Sequence, residues 1–322
     1  ARDVDVLASS PGTAELITEL GDAYAAIAAE PATTTENEQL TEYYLAELVP
    51  AIEAVRGDIS SVGQIIPEQA GAVKLQGRYT IPEETEEGDP PITPSLVVDA
   101  GDGSDYSAIH ARMHNVYAGI AASAGYDDLF LIDARGQTIV YTVSKRTDFA
   151  TSLEVGPLSG SSLSALIDRV ADDPDAPAAM IDFAAYPPVA DAPRMFIANA
   201  VRGASGGVVG YLAVSLSVEP FDTIMSGNGE WAGFGETGDT YLVGPDGTLR
   251  TTTRAFRESP RDFTRVPAEP VAGDLTPAER RRIEGTGTTA LVQSIEQSSI
   301  DLADEADGAI EAENYRGVEV LA

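Results

Sequence analysis

The sequence predicts an α+β fold: a long N-terminal helix followed by two tandem domains built on antiparallel sheets, the second stopping short of a complete sheet. Three observations carry this. Apolar residues recur at helical spacing from Arg2 to Ala29, the pattern changes to period two from Tyr126 onward, and one strand-turn-strand pattern occurs twice.

The first element places Val6, Leu7, Leu16, Ile17, Leu20, Tyr24 and Ile27 on one helical stripe, broken near "SSPGT", where Ser10 is placed to cap a new segment opening at Pro11. This reads as one long, kinked arm. "LTEYYLAELVPAIEAV" gives a second helix with Tyr43, Tyr44, Leu48 and Ile52 on related faces, and "IPEETEEGDPPITPS" is a Pro-rich acidic loop. Ser104 or Asp105 caps a helix from Tyr106 to about Ser123 whose buried face is predicted as Ile109, Met113, Val116, Tyr117 and Ile120. "YDDLFLIDARGQTIVYTVSK" is then strand, turn, strand. "MIDFAAYPP", "PRMFIANAVRG" and "GGVVGYLAVSLSV" supply three more strands, and "SSLSALIDRVADD" a helix between the second and third. Five antiparallel strands with helices on one side make a PAS-like α+β domain, followed by a short connecting helix in "VEPFDTIMSG".

"GFGETG", at residues 233–238, matches the G-x-G-x-x-G pattern of dinucleotide-binding loops but has a turn-rich linker before it and a hairpin after it, where that fingerprint needs strand and helix. Aligning "LFLIDARGQTIVYT" with "TYLVGPDGTLRTTT" explains it better. Asp133 falls on Gly244 and Gly136 on Gly247, so the glycines form the entry to a second domain of the same type. That copy continues through helical readings of "TPAERRRIEG" and "TALVQSIEQ" to a third strand in "NYRGVEVLA", with its last two strands absent. The expected division is 1–104 for the helical stalk and its loops, 105–226 for the first PAS-like domain and 227–322 for the incomplete second.

Composition narrows the function. The chain has 322 residues, 43% of them hydrophobic, enough for a sizeable core, and its 52 acidic against 20 basic residues give a net charge of −32. That field repels nucleic-acid phosphates and anionic lipid, which argues against nucleic acid as a partner. Apart from Lys74 and Lys145 the basic residues are arginine, a bias that fits salty surroundings in which screening relieves self-repulsion. The absence of cysteine excludes a disulfide framework, thiolate catalysis and Cys-ligated metal. No apolar run approaches the roughly 18 residues of a membrane span. The chain opens inside a helix and stops in a strand-like run, so a fragment of a longer protein is expected.

Several motifs reduce to ordinary structure. His110 and His114 stand four apart on one helix, a spacing that presents two nitrogens to one metal. "HARMH" nevertheless lacks the glutamate of H-E-x-x-H, and Asp102 or Asp105 would have to complete the ligand set, so two partly exposed imidazoles bonded to carbonyls or acidic groups is the simpler reading. "DAGDGSD" lacks EF-hand spacing and reads as a turn with a helix cap. "GASGG", at 203–207, precedes a strand where a nucleophile elbow needs a helix, and "RRR" at 280–282 is a solvated helix face.

The stretches "DVDVLASSPGTAELI", "DAGDGSDYSAIHARMH", "GYDDLFLIDARGQTIVYTVSKRTDFATSL", "DFAAY" and "GFGETGDTYLVGPDGTLRTTTR", in this order and spacing, resemble the double Cache (dCache) sensor domain of bacterial transmembrane receptors over nearly the whole chain. The resemblance implies a long helix carrying two PAS-like domains outside the membrane, and transmembrane helices before and after them that this sequence does not include. Outputs in such receptors include chemotaxis signalling modules, class III adenylate or guanylate cyclases, histidine kinases and diguanylate cyclases. It also implies a small-molecule site in the membrane-distal first domain, between the concave face of the sheet and the loop that crosses it. That loop is "YTVSKRTDFATSL". Tyr141, Lys145, Arg146, Asp148 and Phe149 are its candidates, the cations for a carboxylate and Asp148 for an amine or hydroxyl. Asp182, Tyr186, Phe196 and Tyr211 are expected from the facing strands. The alternative is that Lys145 and Asp148 form an ion pair pinning the loop and Tyr186 is core. Amino-acid-binding members carry an arginine followed by an aromatic pair in this loop, and "KRTDFATSL" lacks the pair, leaving the ligand class open.

The expected function is therefore a non-enzymatic extracytoplasmic sensor that binds a small molecule, needs no cofactor and passes a conformational shift along the helical arm. The alternatives are an adhesion or assembly module and, against the scarcity of nucleophile-base pairs, a secreted hydrolase. The arm has few apolar positions on a second face, so any homodimer is expected to be weak.

Overall fold

The computed structural model describes residues 1–58, 65–82, 93–231, 235, 237–266, 274–296, 299–301 and 311–321. Two compact units divide the chain: one of residues 1–50, 60–182 and 194–216, the other of residues 51–59, 183–193 and 217–322.

In the first unit, α1 (Arg2–Ala8) and α2 (Pro11–Ala28) form the broken arm, with Pro11 at the first helical position and Ser10 as N-cap residue, though the Ser10 side chain makes no cap bond. α3 (Thr34–Tyr43) opens with a reciprocal capping box between Thr33 and Glu36. It runs through a π-helical turn at Tyr44–Leu48 into α4 (Val49–Arg56), whose residues from Ala51 on are counted with the second unit. The widened turn lies just ahead of Pro50, whose missing N–H and bulky ring cannot fit a regular helical ladder. α5 (Ala70–Tyr79) is a helix the sequence pattern did not reveal: Gly71 and Gly77 weaken its propensity, and it forms because seven of its ten residues are buried. α6 (Asp105–Ala124) begins at Ser104, whose hydroxyl accepts from Ser107 N at 3.1 Å, and ends at Gly125 in the left-handed conformation.

The sheet is β1 (Asp128–Asp133), β2 (Thr138–Thr142), β3 (Ala179–Ala185), β4 (Pro193–Arg202) and β5 (Val208–Leu216), in the order β2-β1-β5-β4-β3. The registered pairs β1–β2, β1–β5 and β4–β5 are antiparallel. α7 (Ser162–Asp172) joins β2 to β3 and buries Leu163, Leu166, Ile167 and Val170. This is the expected α+β fold, with N-terminal helices and an antiparallel sheet. The register assigns faces. Leu129, Leu131, Leu212, Val214, Ile197 and Val201 share one core with Ile17 and Leu20 of α2 and Tyr106, Met113 and Tyr117 of α6. The alternate residues point to the opposite face, where the Phe130 and Phe196 rings meet at 6.0 Å. The approach of α2 to the sheet is close: a Cβ on Gly210 would lie 2.2 Å from the Ile132 carbonyl oxygen and 2.7 Å from Ile17.

One sequence expectation about α6 needs correction. Its buried arc is Tyr106, His110, Met113, Tyr117 and Ala121; Val116 is 60% exposed and Ile109 and Ile120 are only partly buried. The helix is rotated by about one residue from the predicted face, which buries both histidines fully instead of leaving them partly exposed.

In the second unit, α8 (Glu219–Met225) is followed by the expected turn, with Val243 bridging Leu249, Gly244 N donating to Thr248 O and Gly247 at φ +77°. Gly136 in the first unit has φ +72°, so the aligned glycines share their backbone state. α9 (Arg254–Glu258), α10 (Pro260–Phe263) and α11 (Pro277–Thr286) follow, the last with a Thr276–Glu279 capping box. "TALVQSIEQ" is not helical over its described residues. The run opens with a turn in which Val292 N and Gln293 N donate to Thr289 O, and from Gln293 it lies extended along the hairpin, with Leu249 N donating to Gln293 O and Ile295 N to Gly247 O. The i, i+4 pair Leu291 and Ile295 gave a helical pattern that tertiary pairing overrides. β6 (Glu311–Glu313) and β7 (Glu319–Leu321) form a two-stranded ribbon, which includes the strand predicted in "NYRGVEVLA". Half of "GFGETG" (233, 234 and 236) and most of the acidic Pro-rich loop lie outside the described residues. No described helix is long and apolar enough to cross a membrane.

Candidate functional site

The loop leaving β2 turns back on itself because Lys145 (φ +49°) and Ala150 (φ +63°) both adopt left-handed backbone, unusual without glycine. Several bonds hold it there. Lys145 N donates to Thr142 Oγ1 at 2.7 Å, and Ala150 N and Ile139 N exchange bonds with Ile139 O and Thr151 O. From the helices, the Gln76 amide donates to the Thr147 and Phe149 carbonyls at 3.0 and 2.7 Å, and Tyr44 Oη donates to Gln76 Oε1 at 2.8 Å. Strained backbone persists where surrounding structure over-determines it, as here.

Beneath this loop on the helical face lies a buried polar cluster. The His110 and His114 rings stack at 4.7 Å. His114 Nε2 lies 2.8 Å from Ser95 O, an acceptor only, so Nε2 carries the proton and Nδ1 accepts from Tyr141 Oη at 2.9 Å. His110 Nδ1 likewise donates to Val98 O at 2.7 Å, and its buried Nε2 has no hydrogen-bond partner. Lys145 Nζ donates to Pro94 O at 3.1 Å. It is nearly equidistant from the two His114 ring nitrogens, at 3.4 and 3.3 Å, so it sits over the ring rather than along a lone pair. Pro94, Ser95 and Val98 thus form a strap whose carbonyls receive all three cation-forming side chains.

Charge is costly in this cluster. Burial, with the Lys145 charge as a second cause, pushes His110 down to about 3 and lowers His114, while burial brings Lys145 down to about 7. Asp128, fully buried at the start of β1, accepts from Leu129, Val143 and Ser144 N–H at 2.8, 2.9 and 3.0 Å. Those bonds favour its ionised form, but burial and then the nearby Asp148 outweigh them and raise its pKa. Burial likewise raises Tyr141.

The structure brings together Tyr141, Lys145, Asp148 and Phe149 of the predicted residues, all buried, with Arg146 half-buried beside them. It does not bring the others to this cluster. Phe196 and Tyr211 lie on the opposite face of the sheet, since Phe196 pairs with Phe130 and Tyr211 opposes Ile132 and Ala200. Asp182 is exposed on β3, and Tyr186, buried, lies in the segment 183–193 of the second unit. As for metal, three of the four imidazole nitrogens are engaged with carbonyls or Tyr141, and no group of three or more His, Asp or Glu among the described residues is arranged to hold an ion. Sequence reading missed Tyr44, Gln76, Asp128 and the strap. Asp128, an acid leading the apolar run Leu129–Ile132, was the one with a local signal.

No protein-family model matches the chain, and no curated protein matches its sequence. Solved structures do match. The ligand-binding domain of the Pseudomonas fluorescens chemoreceptor CtaA with L-serine is 14% identical over 70% of this chain and 80% of that one, with a TM-score of 0.29. The same domain with L-leucine is 13% identical over 66% and 70%, TM-score 0.28. The ligand-binding domain of the Pseudomonas aeruginosa PAO1 amino-acid chemoreceptor PctC with GABA is 13% identical over 76% and 86%, TM-score 0.31. These chains are ligand-binding domains of chemoreceptors. At such scores no residue correspondence is transferred, and the site stands on this chain's own geometry.

Proposed function

We propose that this chain is the extracytoplasmic, ligand-binding sensor portion of a transmembrane signalling receptor of double Cache type, without enzymatic activity of its own. Its second unit is then the membrane-proximal repeat of the first. The observation that supports the reading most is the β2-β1-β5-β4-β3 sheet with a backbone-strained loop after β2, folded back along that edge strand and held in place by a buried network. A molecule that binds two arrangements of this loop with unequal affinity would shift the balance between them. The helices α1 and α2, packed in the same core as β1 and β5, provide the path for a displacement toward the membrane. In this reading Lys145, Asp148, Tyr141 and Phe149 set the loop. Arg146, Asp182, Tyr186, Phe196 and Tyr211 are ligand contacts. A weak homodimer and membrane helices outside this sequence complete the receptor.

A second reading has one observation in its favour. Tyr79, Tyr106, Tyr141 and Phe149 fill the space beneath the loop on the helical face, as expected of an adhesion or assembly module that binds no small molecule. A thermal-shift panel of carboxylates, amines and nucleobase compounds separates the two. A ligand at a hundredfold excess over its Kd stabilises by about 2.7 kcal/mol, a shift of several degrees for a domain of this size. We expect at least one compound to raise Tm without being consumed, and Asp182→Ala or the volume-preserving Lys145→Met to remove that rise. A panel without a hit, or a rise unchanged in both variants, would favour the assembly module or move the site.

A further inference from the structure

The second unit holds a cavity of about 700 Å³, within the range of small-molecule sites, that neither the sequence motifs nor the loop cluster explains. Two of its walls are aromatic: the Tyr241 and Tyr315 rings meet edge to face at 5.6 Å and 84°, making a corner lined by π-electron density. Between them and α9 stands Asp239, a half-buried carboxylate fixed by three bonds. Its Oδ1 accepts from Thr240 N at 2.8 Å, and its Oδ2 from Arg254 N at 2.9 Å and Tyr315 Oη at 3.3 Å. An ionised carboxylate offers about four acceptor positions, so one remains open.

The cation nearest this carboxylate is already engaged. Arg254 gives Nε to Glu258 at 2.7 Å and Nη1 to the Gly235 and Gly238 carbonyls at 2.9 and 2.8 Å, and its guanidinium lies 5.1 Å over the Trp231 ring. It is a clamp whose charge Glu258 balances, leaving Asp239 as the inner charge of the cavity, while Arg316 sits exposed at the rim. A fixed carboxylate beside aromatic faces recognises positive nitrogen, through the ion pair and through attraction to the ring quadrupole. The −32 charge of the chain raises the local concentration of cations further.

We infer that this cavity is a second ligand site, separate from the crossing-loop site, and that it takes a small organic ammonium compound with its nitrogen on Asp239 and the Tyr241–Tyr315 corner. Arg316 at the rim is placed to meet the carboxylate of a zwitterionic member of that class.

Trp231 is the only tryptophan of the chain and touches Arg254, so its fluorescence reports on the cavity wall. The whole chain is titrated with choline, glycine betaine and putrescine, with sodium acetate as the anionic control and calorimetry as a second readout. A saturable response to at least one ammonium compound and none to acetate is expected. Asp239→Asn and Tyr315→Leu are each expected to raise its Kd at least tenfold. Tyr315→Phe, which keeps the ring, should leave Kd within about threefold, and Asp182→Ala should not move it, which separates this site from the one proposed above. The absence of saturable binding by both methods would overturn the inference. So would binding of acetate in preference to the cations, or a Kd unchanged in both Asp239→Asn and Tyr315→Leu. If Asp239→Asn does not fold, the comparison of Tyr315→Leu with Tyr315→Phe decides.

Discussion

His110 is neutral in the folded protein because burial and the Lys145 charge outweigh the Val98 carbonyl at Nδ1, which by itself favours the protonated ring. The consequence for stability has a definite sign. The unfolded chain takes up the proton near pH 6.5 and the folded chain not until about pH 3, so the unfolded state binds more protons throughout that window and stability falls as pH is lowered through it. The slope is about 1.4 kcal/mol per pH unit for one such group, and the lowered pKa of His114 acts in the same direction. His110→Asn keeps a donor near Val98 O but does not titrate. We expect the parent to lose stability faster than this variant between pH 6 and 4 in urea melts; parallel curves would mean that His110 titrates normally. Neither histidine's environment was legible in "HARMH", because the carbonyls that satisfy them come from Ser95 and Val98, beyond the helix itself. Lys145 was legible as a candidate from its place after β2, but its burial was not.

Strands and helices add their own constraints. Gly210 is where α2 comes down on β5, and the nearest atom to an added Cβ there is backbone, the Ile132 carbonyl oxygen at 2.2 Å, which cannot rotate away. Gly210→Ala is expected to destabilise the first unit by about 1–3 kcal/mol, seen as a lower urea midpoint; an unchanged midpoint would mean that β5 shifts away from β1 and α2 at little cost. Most elements were readable from period alone. β1, β2 and α7 follow their patterns closely, and the Ser104 cap sits where its sequence position put it. α6 was found with its face misplaced, since Ile109 and Val116 outrank histidine on any hydropathy scale while the actual neighbours favour Tyr106 and His110. α5 was missed because its glycines conceal a helix that only packing stabilises. "TALVQSIEQ" was assigned the wrong type because a pairing partner, the 242–250 hairpin, outweighs a short local pattern.

For the molecule as a whole, the dominant long-range term is self-repulsion from a net charge of −32. Salt shortens its reach, from a Debye length of about 10 Å at 0.1 M to about 3 Å at 1 M. The melting temperature is expected to rise between 0.1 and 1 M sodium chloride, and a flat or falling series would show that the acidic surface carries no net destabilisation. The repeat belongs to this scale too. Its hairpins share the turn glycines Gly136 and Gly247, yet the first belongs to a five-stranded sheet, while the described strands of the second unit pair only two by two or by isolated bridges.

Composition, periodicity and the duplicated turn were enough to settle the α+β class, the five strands of the first unit and the exclusion of thiol chemistry, because each depends on residues close together in the chain or on simple counts. Which side chains meet was decided by folding alone. Gln76 and Tyr44 reach the loop at Thr147, Ser95 reaches His114, and Tyr315 reaches Asp239 across separations of 19 to 103 residues. Hydrogen bonds and ring contacts of that kind leave no trace in local pattern, since the energy that selects them comes from burying both partners at once.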